Sequence, residues 1–159
     1  MSKAVVSTMQ ASFARSMGLM REFIKVCPDE IWNKKFGGWP IWQQVYHALW
    51  ITELFTLDEG AKGVAEPCPT EVGTLKVQGE KAPGKTEMLN FADLMETAAD
   101  GYIEALDDAK LAEPQKGLSA KFGAPMNHAA AMGLLSGHIM YHLGSCDAAL
   151  REHGFKGVF

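Results

Sequence analysis

The last third of the chain carries the pattern that most restricts its fold. Between Asn127 and Glu152, Leu135, Ile139, Cys146 and Ala149 mark one face of an α-helix, recurring at its three- and four-residue steps. His138 and His142 stand on the same stripe. Residues four apart on a helix are turned by about 40° and lie about one turn apart along the axis. Both imidazoles therefore project from one face. A helix uses this spacing to offer two nitrogens to one metal ion, and two hydrogen-bonded core histidines show the same spacing. In either case the pair needs partners, because a buried polar group without one costs about 1–3 kcal/mol.

The rest of the chain reads as helices to pack against this one. From Lys3 to Cys27 a stripe of Val6, Met9, Phe13, Met17, Met20 and Ile24 predicts an amphipathic helix that Pro28 ends. Pro28 to Trp32 suits a short helical turn. Gly37-Gly38-Trp39-Pro40 marks a connector, with Pro40 opening a second helix over Ile41–Asp58. From Gly60 to Lys85 glycines and prolines break every period, apart from a short extended piece over Thr74–Val77. This stretch is either a surface crossover or a lid. A third helix over Thr86–Ala109 carries Met88, Phe91, Met95, Ala98, Tyr102, Ala105 and Ala109 on its stripe. Leu111–Met126 is a second irregular connector, and Gly154 closes the last helix. Four long helices without a strand series predict an all-α fold, a four-helix bundle with a long loop between helices two and three.

Composition narrows the function classes. The 159 residues suit a single domain over 1–159, and 47% hydrophobic residues provide for one core. A net charge of −4 argues against nucleic acid and anionic membrane as partners, since both call for a basic patch. No apolar run is long enough to span a bilayer, and the N-terminus does not read as a signal peptide. Cys27, Cys68 and Cys146 are scattered and form no CxxC, so the expected setting is a reducing cytoplasm. HExxH is absent, because Ile139 stands where its glutamate would be; GxSxG and a glycine-rich phosphate loop are absent too.

A third histidine faces inward. On the second helix His47 sits at the centre of the stripe formed by Trp50, Ile51 and Leu54, with Thr52, Glu53 and Thr56 on the opposite side. Three neutral nitrogens would leave at least one coordination position for water or substrate, as in an open, catalytic type of site. Periodicity alone does not put His47 at the height of the pair. Gln43, Gln44 and Tyr141 are candidates to support the ligands, although Trp50 and Tyr141 also suit packing. Cys146 continues the ladder as a buried thiol or a fourth ligand. His128 lies about 15 Å from His138 by helix rise, too far to share an ion, and suits a cap or solvent.

The segment Gly137-His138-Ile139-Met140-Tyr141-His142-Leu143-Gly144-Ser145-Cys146, with Arg151 and Gly154, resembles the last helix of the DinB/YfiT-like four-helix-bundle metalloproteins. That helix typically carries His-x-x-x-His-x-Gly-Gln, then an Arg and a Gly. Trp39 to Trp50 resembles their second helix, which supplies the first metal histidine. The resemblance implies a divalent metal ion, nickel or zinc, on His47, His138 and His142, a homodimer, and the Gly60–Lys85 loop as the crossover between helices two and three. It implies an enzyme acting on a small-molecule substrate, a transferase using a low-molecular-weight thiol as cosubstrate or a related metal-activated reaction of thiol or water on a small electrophile. The alternative is a non-catalytic metal-binding or stress-associated bundle. Ser145 departs from the usual Gln, and Ile139 from a frequent acidic residue.

Overall fold

In the computed structural model, which describes residues 1–57, 63 and 66–159, the long helices are α1 (Ala4–Val26), α3 (Ile41–Thr56), α5 (Lys85–Glu104) and α7 (His128–Glu152). Short elements join them: α2 (Asp29–Trp32), a hairpin of β1 (Lys35–Phe36) and β2 (Trp39–Pro40), α4 (Thr70–Gly73), a 3-10 turn over Lys110–Ala112, and α6 (Lys116–Phe122). The fold is all-α, as expected, with α1 and α3 each packed between α5 and α7. Phe13, Met17, Met20, Phe23, Tyr46 and Met95 are fully buried between them. No helix among the described residues is long and apolar enough to cross a membrane.

The expected boundaries of α1 and α7 hold within two residues, and Ile41 follows Pro40 as the first residue of α3. The helix containing α3 stops at Thr56, with Leu57 extended at its cap. Asp58 and Gly60, where the second helix and the crossover were expected to end and begin, lie outside the described residues. The side of α3 opposite the His47 stripe is also covered. Thr52, Glu53 and Thr56 are all buried. The two threonine hydroxyls donate back to the helix carbonyls of Ala48 and Thr52, which allows them to sit away from water.

Three other segments differ from the sequence reading. The Gly37-Gly38 connector is the turn of a hairpin pairing Lys35 with Pro40 and Phe36 with Trp39. Its φ angles of +60° and +96° are the mirror-image turn that suits strand twist and that glycine adopts freely. Thr74–Val77 is not extended. The amides of Lys76 and Val77 both fold back to the Glu71 carbonyl, and the Thr74 hydroxyl donates to Thr70 O. The third helix ends at Glu104, five residues early. The cause is Asp107, whose carboxylate accepts from the amides of Ala109 and Lys110 and starts a separate turn. Ala105 and Ala109 are exposed as a result, while Leu106 and Leu111 enter the core. The second connector contains α6, capped by the Gln115 side chain, which accepts from the Leu118 amide at 2.6 Å.

Candidate metal centre

α3 and α7 lie against each other, and His47 from one meets His138 and His142 from the other. Their potential ligand nitrogens all lie within 4.8 Å of one another. The ring centroids form a triangle with sides of 5.0, 4.7 and 4.7 Å. His142 is 7% exposed, and the other two are half-buried. The periodicity placed all three on inward faces; packing of α3 on α7 brings them to one height.

A backbone carbonyl fixes the tautomer of His47. His47 Nδ1 lies 2.6 Å from Gly73 O. A carbonyl only accepts, so Nδ1 carries the proton and Nε2 keeps its lone pair. That lone pair faces His138 Nε2 at 3.1 Å. Two nitrogens bound to one tetrahedral zinc at 2.0–2.1 Å are about 3.3 Å apart, so this pair already has nearly the spacing of two ligands. His142 Nδ1 is buried without a hydrogen-bond partner among the described residues. An orphaned imidazole nitrogen beside two converging ones fits a metal-binding cluster better than a self-satisfied core. The three residues can therefore hold a divalent ion.

The electrostatics favour ligand-ready imidazoles. Burial lowers the pKa of His47 below its ordinary value, against the opposing effect of the Gly73 carbonyl. His138 falls to about 4, through burial and then repulsion from His47. His142 falls to about 3, through burial and then repulsion from both neighbours. The lowered values favour the neutral imidazole, with one nitrogen lone pair free, which is the form that binds metal.

The carbonyl partner comes from the crossover, and Gln43 helps to hold it. The Gln43 amide donates to Val72 O and Val77 O and accepts from the Gly79 amide. The Tyr46 hydroxyl donates to Cys68 O. Gly73 lies flat against the Trp50 indole, and a Cβ there would sit 2.9 Å from the ring. Gln43 thus supports the segment that orients His47. Gln44 instead bonds Phe36 O, Trp39 O and the Ser145 hydroxyl, tying the hairpin to α7 one turn from the histidines. The role of Gly73 had no signal in the sequence, because a carbonyl is common to every residue.

The remaining candidates lie outside the three-histidine group. Cys146 is fully buried, and burial pushes its thiol far above the ordinary range, as expected of a core cysteine. Tyr141 does not pack into the core. It is 74% exposed, with its ring edge-on to His142 at 5.0 Å. His128 begins α7 but does not cap it; Asn127 does, through the Ala130 amide. His128 Nδ1 instead meets the Tyr102 hydroxyl at 2.6 Å.

No curated protein and no solved structure matches the chain. The family model of the DinB superfamily matches residues 12–146, from the first turns of α1 to Cys146 on α7. That span includes all three histidines, the whole of α3 and α7 as far as Cys146. With most of its length under this match, and with three imidazoles meeting where α3 and α7 pack, the chain belongs to the DinB superfamily.

Proposed function

We propose that the protein is a divalent-metal-dependent enzyme whose ligands are His47, His138 and His142, with nickel or zinc as the ion. When bound, such an ion would act as a Lewis acid and lower the pKa of a thiol or water in its remaining positions. The substrate is a small electrophile, and a low-molecular-weight thiol is the cosubstrate. One observation carries this reading: three imidazoles from two helices offer nitrogens within 4.8 Å of one another.

The chain's own residues have definite parts. The Gly73 carbonyl holds the His47 ring in the tautomer that points its Nε2 lone pair into the cluster. Burial keeps His138 and His142 neutral and discourages protons from competing for their nitrogens. Gln43 keeps the crossover in register with α3, so the carbonyl stays in place without a ligand from that segment.

The test begins with metal analysis of purified protein, before and after supplementation with nickel or zinc, beside His142→Ala. The expected result is one ion per wild-type chain and a large loss in the variant. Full occupancy in the variant, or none in the supplemented wild type, would contradict the assignment. Bacillithiol, mycothiol and glutathione are then screened against small electrophiles. Activity that chelator abolishes and metal restores supports the enzyme. Bound metal with no turnover points to a metal-binding bundle instead.

A further inference from the structure

The crossover and the first turn of α5 frame a cavity of about 660 Å³, and none of its lining residues belongs to the three-histidine group. A volume of that order suits a small organic ligand. Its walls are held from beneath by buried side chains. Gln43 bonds the carbonyls of Val72 and Val77 and the amide of Gly79. The Tyr46 hydroxyl donates to Cys68 O, and the Trp32 indole to Pro83 O at 3.2 Å. All five of these tethered backbone positions line the cavity, so its shape is set by the core and not by the loop alone.

The lining combines two chemistries. Val72, Ala82 and Pro83 supply apolar surface, and Val77 lines the cavity while remaining 48% exposed. Glu71, Glu80 and Glu87 are exposed residues of the same lining, against a single cation, Lys81. None of these four is ion-paired among the described residues. Nor do the carboxylates converge on a point, since among the described residues only the three histidines group their ligand atoms as a metal site does. Acidic side chains scattered over a surface are ordinary; these border a formed cavity with apolar walls. That combination suits a ligand whose positive charge stands on an apolar body, and disfavours an anion.

We propose that this cavity is a second ligand site, taking an organic ammonium ion with a compact apolar body, and that its occupancy acts on the metal centre through the crossover. The apolar body packs on Val72, Val77 and Ala82, with the ammonium among Glu71, Glu80 and Glu87. Val72 precedes Gly73, whose carbonyl lies 2.6 Å from His47 Nδ1. A ligand packed on Val72 favours the crossover position in which that carbonyl meets His47. Occupancy then tightens metal binding, and metal tightens ammonium binding by the same factor. The site stands apart from the metal reading; the coupling rests on it.

Cyclohexylammonium, cyclohexanol and cyclohexanecarboxylate share one ring and differ in charge. Each is titrated into the metal-free protein, with the amide NMR signals of Val72, Gly73, Val77 and Gly79 as the readout. Cyclohexylammonium is expected to bind about tenfold more tightly than cyclohexanol, the scale of three exposed charge contacts acting together, and the carboxylate most weakly. A Glu80→Gln/Glu87→Gln variant, changed only at exposed positions, should lose most of that preference and keep its affinity for cyclohexanol. Val77→Ser should weaken cyclohexylammonium and cyclohexanol by the same factor. No saturable shift of these amides, or equal affinity for the ammonium and the carboxylate, would overturn the site. Saturating cyclohexylammonium should then tighten zinc binding by about threefold in a competition titration. Unchanged or weaker zinc binding would overturn the coupling and leave the site. Failure of zinc to bind wild type would remove the metal reading and the coupling together, while the metal-free titrations still decide the site.

Discussion

Gly73→Ala is the substitution that best separates the support of the metal centre from its ligands. The added Cβ would lie 2.9 Å from Trp50 Cγ and 3.0 Å from Cδ1 and Cδ2. Carbon atoms in contact prefer about 3.5–4.0 Å, so the ring or the backbone has to move by roughly half an ångström. Trp50 is 8% exposed and has little room. Overpacking of this kind costs about 1–3 kcal/mol, or a fall in Tm of about 2–12 °C for a chain of this size. Movement of the backbone also withdraws the carbonyl from His47 Nδ1, now at 2.6 Å. Losing such a partner typically weakens a metal site by about 10–100-fold. Competition titration of zinc against a chromophoric chelator measures this directly, and a melt of the metal-free protein measures the strain. The expected outcome is weaker zinc binding in a protein that still folds. A lower Tm with unchanged zinc affinity would show that Trp50 absorbs the strain and that the carbonyl does not tune His47.

Other perturbations test separate parts of the account. Metal should raise the Tm of wild type, by about 4 kcal/mol of stability when free metal is a thousand times its Kd; this increment should vanish in His142→Ala, and its survival would place the metal elsewhere. In the metal-free protein the folded pKa values of His138 and His142, about 4 and about 3, lie below the ordinary 6.5. The unfolded chain therefore binds more protons between those limits. Stability should fall as pH drops below about 6.5 and continue falling toward pH 3, with no contribution from these groups above 6.5; urea unfolding of wild type and a His138→Gln/His142→Gln variant across that range checks it, and equal slopes would refute it. Phe13→Ala, at a fully buried position on α1, should cost about 3–5 kcal/mol in the same unfolding assay. Asn127→Ala removes the side-chain cap of α7 and should cost about 1 kcal/mol.

The long helices and the three inward histidines were legible because both depend on a repeat of three to four residues. Val6, Phe13, Met17, Met20 and Ile24 announce α1, and each is buried where the period puts it. His138 and His142 are bound to one face by covalent geometry, whereas their meeting with His47 depends on how α3 and α7 pack. The family resemblance, not the period, supplied the expectation of a common height. What escaped was set by hydrogen bonds that no period encodes. Asp107 stops α5 by offering its carboxylate to amides two and three residues ahead. Gln115 caps α6, although glutamine is not among the preferred capping residues. Thr52 and Thr56 lie opposite the His47 stripe on a wheel and are buried with their hydroxyls bonded within the helix. The partner of His47 is a main-chain carbonyl 26 residues away, brought near by a crossover whose fold depends on Gln43.

The central claim is that one divalent ion sits between α3 and α7 on these three side chains. Anomalous diffraction at the zinc or nickel edge, from crystals grown with that metal, tests it most directly. The account predicts one strong peak per chain at about 2.0–2.1 Å from a nitrogen of each of His47, His138 and His142. No peak at the cluster under saturating metal, or a peak held by other residues, would contradict it.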